Sequence, residues 1–277
     1  MIATADHHIH LGFGDFRSRE RSQKYIDTPL EAPYNNLLLY RDAGITYLRD
    51  GGDKDMLSLA LRRNGADLGI TVKSPGRALV KKDCYGRELG LPISTVDELK
   101  RELDFLLEQQ VDHFKIVQSG LVAVNGRPQN QRRYFDDKML GMIMDCAKEN
   151  HLPVMVHVNF PEPIKTVVDA GVTTIEHGYF ITEDLLLEMK KRNIAWTPTL
   201  SPFANAITYN TWISGWNKSI VAEVVTRHKA MVKKAVAIGV DVLLGSDAGG
   251  SICPHGRCTL DEYRLLSEIL ADTPNRE

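Results

Sequence analysis

The chain has 277 residues, 43% of them hydrophobic, and a formal net charge of -2. That is enough apolar side chain for a sizeable core, and it argues against disorder. With 34 Lys and Arg against 36 Asp and Glu spread along the chain, there is no basic stripe for nucleic acid and no polybasic patch for a membrane surface, and no apolar run approaches the roughly 20 residues that span a bilayer.

The N-terminal run Met1-Ile2-Ala3-Thr4-Ala5-Asp6 leads straight into His7-His8-Ile9-His10, without the regions of a signal peptide. Short, β-branched or apolar runs then recur along the whole length. They cover Ile2–His8, Ile45–Arg49, Leu68–Val72, His113–Val117, Val154–Val158, Thr173–Glu176, Ile194–Thr197 and Val240–Leu244. Such runs suit strands buried on both faces.

Helical patterns alternate with them. Thr95-Val96-Asp97-Glu98 is a capping box before Leu99, Leu103, Leu106 and Leu107 on one face. Met139, Leu140, Ile143, Met144 and Ala147 repeat that spacing, as do Ile164, Val167 and Val168 before Gly171. A long helical stretch from Ser219 ends at Gly239, and Thr259-Leu260-Asp261-Glu262 reads as a second capping box opening the last helix. Eight strands alternating with helices predict an α/β fold, a (β/α)8 TIM barrel, over a single domain spanning 1–277. Longer loops at Gly12–Pro29, Lys73–Pro92 and Thr199–Lys218 follow the first, third and seventh strands, where a barrel builds its site. The last carries Phe203, Tyr209, Trp212 and Trp216, a pocket wall or a loop packed on its own aromatics.

Ionisable residues fall where buried strands end, a place that penalises them unless they are paired or bound to metal. The first strand carries His8 and His10, the fourth Lys115, the fifth His157, the sixth His177 and the eighth Asp247. Residues two apart in a strand share a face, so His8 and His10 can both enter the barrel mouth. Imidazole and carboxylate are zinc ligands, and manganese, iron or cobalt suit them too. Four cysteines in a chain this long are no disulfide framework, which suits a reducing cytoplasm, and Cys253 and Cys258 read as plain thiols. His7, His113, His151 and His228 read as structural or exposed.

This ordered set resembles the amidohydrolase superfamily, with its Asp-x-His-x-His on strand one, lysine on strand four, histidines on strands five and six and aspartate on strand eight. Gly44–Gly52, Thr197-Pro198-Thr199-Leu200 and Gly245–Gly249 followed by Pro254-His255-Gly256 are similar to the family as well. The nearest branch includes imidazolonepropionase-like proteins and Xaa-Pro or Xaa-Arg dipeptidases. The resemblance implies two divalent metal ions, zinc by default, bridged by a carbamate on Lys115. His8, His10 and Asp247 would complete one metal site, and His157 and His177 the other. It further implies a hydroxide between the metals and Asp247 as both ligand and catalytic proton shuttle for cleavage of an amide or other C–N bond, in a dipeptide or cyclic amide.

Asp6 is then expected to be outer-shell or strand-end structure, and Glu176 to face the helical layer, away from the metals. His255 is expected to bind substrate, to orient Asp247 or to be an ordinary loop residue. Tyr179, Tyr209, Arg77 and Arg127 are candidates for a substrate carboxylate. Two features depart from the family. The Gly-Gly-His run that often follows strand three in relatives is missing after Ser74-Pro75-Gly76-Arg77, and there are no segments for the family's small β-sandwich. The chain is therefore a minimal barrel or a piece of a longer protein, and uncovered barrel surface makes a homo-oligomer expected. The partners expected are a small-molecule substrate, with no nucleic acid and no membrane. Two alternatives stand beside the hydrolase: a single-metal deaminase or decarboxylase of the same superfamily, and a catalytically inactive barrel.

Overall fold

The structure, a computed structural model, describes residues 3–14, 28–125, 134–250 and 252–271. Strands β1 (Ala5–Ile9), β2 (Tyr47–Asp50) and β3 (Thr71–Lys73) form a parallel sheet in chain order. A short parallel pair, β4 (Val80–Lys81) and β5 (Pro92–Ile93), lies in the connection that follows. Strands β6 (Phe114–Val117), β7 (Val154–Val158), β8 (Thr174–His177) and β9 (Ala195–Thr197) form a second parallel sheet, again in chain order. Every residue of β6, β7 and β8 is buried, as their near-continuous apolar and β-branched sequences require of strands covered on both faces.

Backbone hydrogen bonds join the two sheets into a ring. On one side Asp112 donates to Ser74 O at 2.9 Å, and Leu79 exchanges bonds with β6, donating to Lys115 O (2.7 Å) and accepting from Val117 N (3.1 Å). On the other side residues 241–248 run between β9 and β1. Trp196 donates to Asp241 O and Leu243 to Trp196 O, both at 2.8 Å, while His7 donates to Leu244 O (2.8 Å) and Asp247 to His8 O (2.7 Å). This is the (β/α)8 barrel, with one correction. The eighth segment, expected as a strand at Val240–Leu244, is not continuous. Its first half bonds to β9 and its second half to β1, through separate bridges at Val242 and Ala248.

The helices are α1 (Glu31–Asp42), α2 (Leu57–Ala60), α3 (Arg62–Asp67), α4 (Val96–Glu108), α5 (Asp137–Glu149), α6 (Pro161–Ala170), α7 (Glu183–Arg192), α8 (Ser201–Thr208), α9 (Lys218–Ile238) and α10 (Arg257–Ala271). Thr95 Oγ1 accepts from Glu98 N at 3.2 Å and the Glu98 carboxylate accepts from Thr95 N at 3.0 Å, so α4 starts at its capping box. Leu99, Leu103 and Leu106 then bury against the large core over β6–β9, which also takes Met139, Leu140 and Ile143 of α5 and Ile164 and Val167 of α6. Gly171 and Gly239 end α6 and α9 at φ 77° and 88°, left-handed values that favour glycine. A smaller core packs α1 on β1–β3.

Three further expectations change. The third strand starts at Thr71 rather than Leu68, because Leu68 and Gly69 donate to Asn64 O and Ala66 O in the turn that closes α3. The loop at Thr199–Lys218 contains a helix, α8. Thr259 and Glu262 form no capping box, since α10 already begins at Arg257. Thr259 Oγ1 instead donates to Asp6 Oδ2 (2.6 Å), and the Glu262 carboxylate accepts from Leu200 N (3.0 Å) and Ser201 N (2.7 Å), tying α10 to the barrel. The loop at Gly12–Pro29 and residue Ile2 lie largely outside the described residues. Among the described residues no helix is long and apolar enough to cross a membrane.

Candidate metal centre

The ends of β1, β6, β7, β8 and the eighth segment bring His8, His10, Lys115, His157, His177 and Asp247 to one place. His8 Nε2 and His10 Nε2 lie 3.5 and 3.4 Å from Asp247 Oδ1, and Lys115 Nζ lies 3.4 Å from His8 Nε2. The rings of His8 and His177 are 4.9 Å apart and those of His157 and His177 4.5 Å. Ligand atoms of His8, His177 and Asp247 all fall within 4.8 Å of one another. Lys115 is 1% exposed and His8 fully buried, so ordinary hydration does not solvate them.

Two of these residues reach the site by leaving strand geometry. His177 has φ 67° and Asp247 φ 55°, in the left-handed region that histidine and aspartate enter more readily than most residues. Strict alternation along β8 would send Glu176 and His177 to opposite faces. The turn at His177 lets both approach the same centre. That corrects the expectation for Glu176: it does not face the helices. Its Oε2 accepts from His8 Nδ1 at 2.7 Å, and its Oε1 accepts from Arg49 (2.8 Å) and Thr174 Oγ1 (2.6 Å), all buried. Arg49 is fixed in turn on His7 O (2.7 Å) and Thr197 Oγ1 (3.1 Å).

The other imidazoles are also held from outside. His10 Nδ1 lies 3.3 Å from Gly52 O and His177 Nδ1 2.8 Å from Thr199 Oγ1. His157 has a backbone partner at Gly120 and the Asn159 amide nitrogen 3.4 Å from its Nε2. Carboxylate and carbonyl oxygens only accept, so His8 and His10 donate from Nδ1 and keep the Nε2 lone pair facing Asp247. Burial, then the charge of Lys115, holds His8 well below the usual histidine range and lowers His157 to about 3. Burial, then His157, does the same for His177. Burial lowers the Lys115 amine to about 8. Neutral imidazoles, a carboxylate and a readily deprotonated amine are the donor set that a divalent ion needs.

Glycine makes room for this packing. A Cβ on Gly51 would fall 2.4 Å from His10 Cε1, and one on Gly245 would fall 2.3 Å from Thr197 Cγ2 and 2.9 Å from His8 Cβ. Asp50 folds the Gly51-Gly52 turn by accepting from Leu11 N and Gly52 N, both at 2.6 Å, and from Ser58 Oγ at 2.8 Å.

The sequence candidates for substrate contact fare differently. Tyr179 stacks on His177 at 6.1 Å and 7°, but its hydroxyl donates to Thr199 O at 2.8 Å. Tyr209 donates to Asp261 Oδ1 (2.7 Å), and Arg77 is paired with Glu102 (2.9 Å). His255 has both ring nitrogens engaged, by the Tyr40 hydroxyl (2.9 Å) and Phe13 O (2.8 Å), which leaves none for a substrate. Arg127 lies outside the described residues. Phe203, Trp212 and Trp216 form an apolar cluster with Tyr179, Val122 and Val221. Cys253 and Cys258 are free thiols, buried behind Ser246.

Two aromatic residues at the mouth went unnoticed in the sequence. The ring of Phe13 stacks on His10 at 5.1 Å and 18°. That of Tyr85 lies 5.2 Å from His157. Tyr85 as a whole is 37% exposed, yet burial, then the field of Asp247, pushes its phenol above the ordinary range.

The Amidohydrolase family model matches residues 1–272. The chain belongs to the amidohydrolase family. It is accordingly a hydrolase of C–N bonds of the amide type. An uncharacterized protein of Mycobacterium tuberculosis is 25% identical over 272 residues, covering 95% of this chain and 67% of that relative. Among solved structures, a Xaa-Pro dipeptidase with bound methionine superposes with a TM-score of 0.79 at 21% identity, covering 97% of this chain and 70% of its own. A prolidase complexed with N-methylphosphonate-L-proline gives 0.80 at 19% identity, covering 99% and 71%. The ochratoxinase of A. niger gives 0.77 at 20% identity, covering 97% and 66%. These structural likenesses show the barrel fold.

Proposed function

We propose that this amidohydrolase is a two-metal enzyme. His8, His10 and Asp247 would hold one divalent ion, His157 and His177 the other, and Lys115, as its carbamate, would join them. The observation that carries the reading is the convergence of four imidazoles and a carboxylate around a buried lysine amine, with the outer nitrogens of His8, His10 and His177 already engaged. A neutral amine can add carbon dioxide, and its burial here favours the neutral form. Two such ions, when bound, supply a Lewis acid for the scissile carbonyl and a hydroxide at neutral pH.

The chain's own residues do the rest. Asp247, 26% exposed at its side chain and within reach of both His8 and His10, accepts the proton of the attacking water and passes it to the leaving nitrogen. Glu176 fixes the tautomer of His8, and Thr199 holds the ring of His177. The substrate is a small amide, a dipeptide or a cyclic amide, and the activities that name the structural relatives (Xaa-Pro dipeptidase, prolidase, ochratoxinase) guide the panel to be screened. A second reading rests on His8, His177 and Asp247, whose ligand atoms group closely enough for a single ion, as in a deaminase.

Metal content decides between them. Mass spectrometry on protein purified without chelator is expected to give near two ions per chain, falling sharply in Lys115→Ala. One ion, indifferent to Lys115, would end the two-metal reading and favour the deaminase. A zinc-loaded chain inert on every dipeptide, cyclic amide and N-acyl amino acid would leave an inactive barrel.

A further inference from the structure

We propose that Tyr85 is a catalytic residue, whose hydroxyl donates a hydrogen bond to the oxygen of the scissile carbonyl as that oxygen gains negative charge. The inference rests on the hydrolase reading above and names a residue which that reading leaves unused.

Geometry places the group. Tyr85 follows β4 on a loop that bends through left-handed residues at Asp83 (φ 60°) and Gly86 (φ 107°). Gly86 sits against β6, where a Cβ would meet the Val117 side chain at 3.1 Å, so the loop is held down on the barrel rim. The backbone N–H of Tyr85 points to the Tyr134 hydroxyl at 3.4 Å. From there the ring reaches His157, tilted at 42° with centroids 5.2 Å apart. His157 lies near the end of β7, so the Tyr85 ring stands beside the half of the candidate centre that His157 and His177 make.

Chemistry selects it. The hydroxyls of Tyr40, Tyr179 and Tyr209 are committed to His255, Thr199 O and Asp261. The hydroxyl of Thr199 is taken by His177, and the Asn159 amide by Gly120 O. No hydrogen-bond partner for the Tyr85 hydroxyl occurs among the described residues, although its ring stands against His157. A phenol is neutral at pH 7 and carries one donor. A donor fixed in advance where negative charge develops lowers the barrel's own reorganisation during reaction, and removing one such donor costs roughly 10²–10³ in kcat. No bond to Tyr85 forms or breaks in this role. Hydroxide adds to the carbonyl carbon, the oxygen takes the π electrons, and the hydrogen bond from Tyr85 shortens.

The test compares zinc-loaded wild type with Tyr85→Phe, which keeps the ring against His157 and deletes only the donor. The expected result is a kcat roughly 10²-fold lower on whichever amide the wild type cleaves, with KM within about threefold and metal content unchanged. Calorimetry with N-methylphosphonate-L-proline and its L-phenylalanine counterpart, tetrahedral mimics of the attacked amide, is expected to show a parallel loss of affinity. That readout does not depend on turnover, and a purely structural residue would not move it while melting and metal content stayed the same. An active wild type whose Phe variant matches it within threefold in kcat and in phosphonate affinity overturns the role of Tyr85 alone. A metal-loaded wild type that neither cleaves an amide nor binds either phosphonate overturns the hydrolase reading and this inference with it.

Discussion

Replacing Glu176 by glutamine tests how the centre is held, because the change keeps shape and removes a charge. The carboxylate is fully buried and accepts three hydrogen bonds, from His8 Nδ1 (2.7 Å), Arg49 (2.8 Å) and Thr174 Oγ1 (2.6 Å). All three partners are donors in the native arrangement. Glutamine has one acceptor oxygen and one donor nitrogen, so one side of the contact must become donor against donor. If its nitrogen faces His8, the imidazole has to accept at Nδ1, which moves its proton to Nε2 and covers the lone pair that faces Asp247. If its nitrogen faces Arg49, the buried guanidinium, which has lost its charge partner in either orientation, meets a second donor as well, and removing one member of a buried pair costs about 3–5 kcal/mol. The first outcome costs metal, by about 10–100-fold in affinity for a ligand's outer-shell partner. The second costs stability. Zinc competition against a chromophoric chelator and urea unfolding of the metal-free protein, measured on the same preparations, separate the two. A variant that keeps wild-type zinc affinity and unfolds at the wild-type urea midpoint would refute the argument that Glu176 fixes His8.

Two further outcomes follow from the same geometry. Gly51→Ala pushes a methyl group to within 2.4 Å of the end of the His10 ring, and a side chain yields more easily than a backbone. The variant is expected to fold with a near-normal urea midpoint and to lose metal and activity together; full metal occupancy would show that His10 is no ligand. Burial holds His255 near a pKa of about 4, below the 6.5 of an ordinary histidine, so between these values only the unfolded chain binds the proton. Its contribution to stability is complete above about 6.5 and is lost as pH falls toward 4. At 1.36 kcal/mol per unit, the loss between pH 7 and 5 is about 2 kcal/mol. His255→Gln is expected to reduce the fall in unfolding free energy of the metal-free protein over that interval by this amount, and an unchanged pH slope would contradict it.

Much of this was legible in the sequence because burial leaves few options. A β-branched run such as Val154-Met155-Val156 can be little other than an interior strand, and polar residues at its end demand partners, so the ligand candidates stand out in chain order. Directions were less legible. Alternation placed Glu176 on the helical side because it assumes that a strand stays a strand through its last residue, and the left-handed turn at His177 breaks that assumption. The box at Thr259 and Glu262 had the right spacing for a cap, yet α10 begins two residues earlier and both side chains serve the barrel instead. Tyr85 carried no local signal at all. Its place is set by the packing of Gly86 on Val117, a contact between residues distant in sequence that spacing does not encode.

The left-handed turns also explain what the first aspartate of the motif does. His177, Thr199 and Asp247 sit at φ 67°, 50° and 55°, and non-glycine residues in such regions cost on the order of 1–3 kcal/mol each. Neighbours must therefore over-determine these turns. At His177, Trp196 Nε1 donates to its carbonyl at 3.0 Å, and Gly178 N donates to Val158 O at 3.0 Å. At Asp247 the clamp is Asp6, whose carboxylate accepts from Ser246 N (2.9 Å), Ser246 Oγ (2.5 Å) and Thr259 Oγ1 (2.6 Å), and from His8 N at 3.1 Å. Asp6 thus fixes the residue before Asp247 and the backbone of His8 with one side chain. Burial raises its pKa to about 6, so four donors converge on a carboxylate that desolvation disfavours, and those four bonds keep it useful as an acceptor. In Asp6-His7-His8-Ile9-His10, His8 and His10 face the candidate metal centre, while the aspartate binds the first strand to the eighth, which makes the motif a two-strand device written in five consecutive residues.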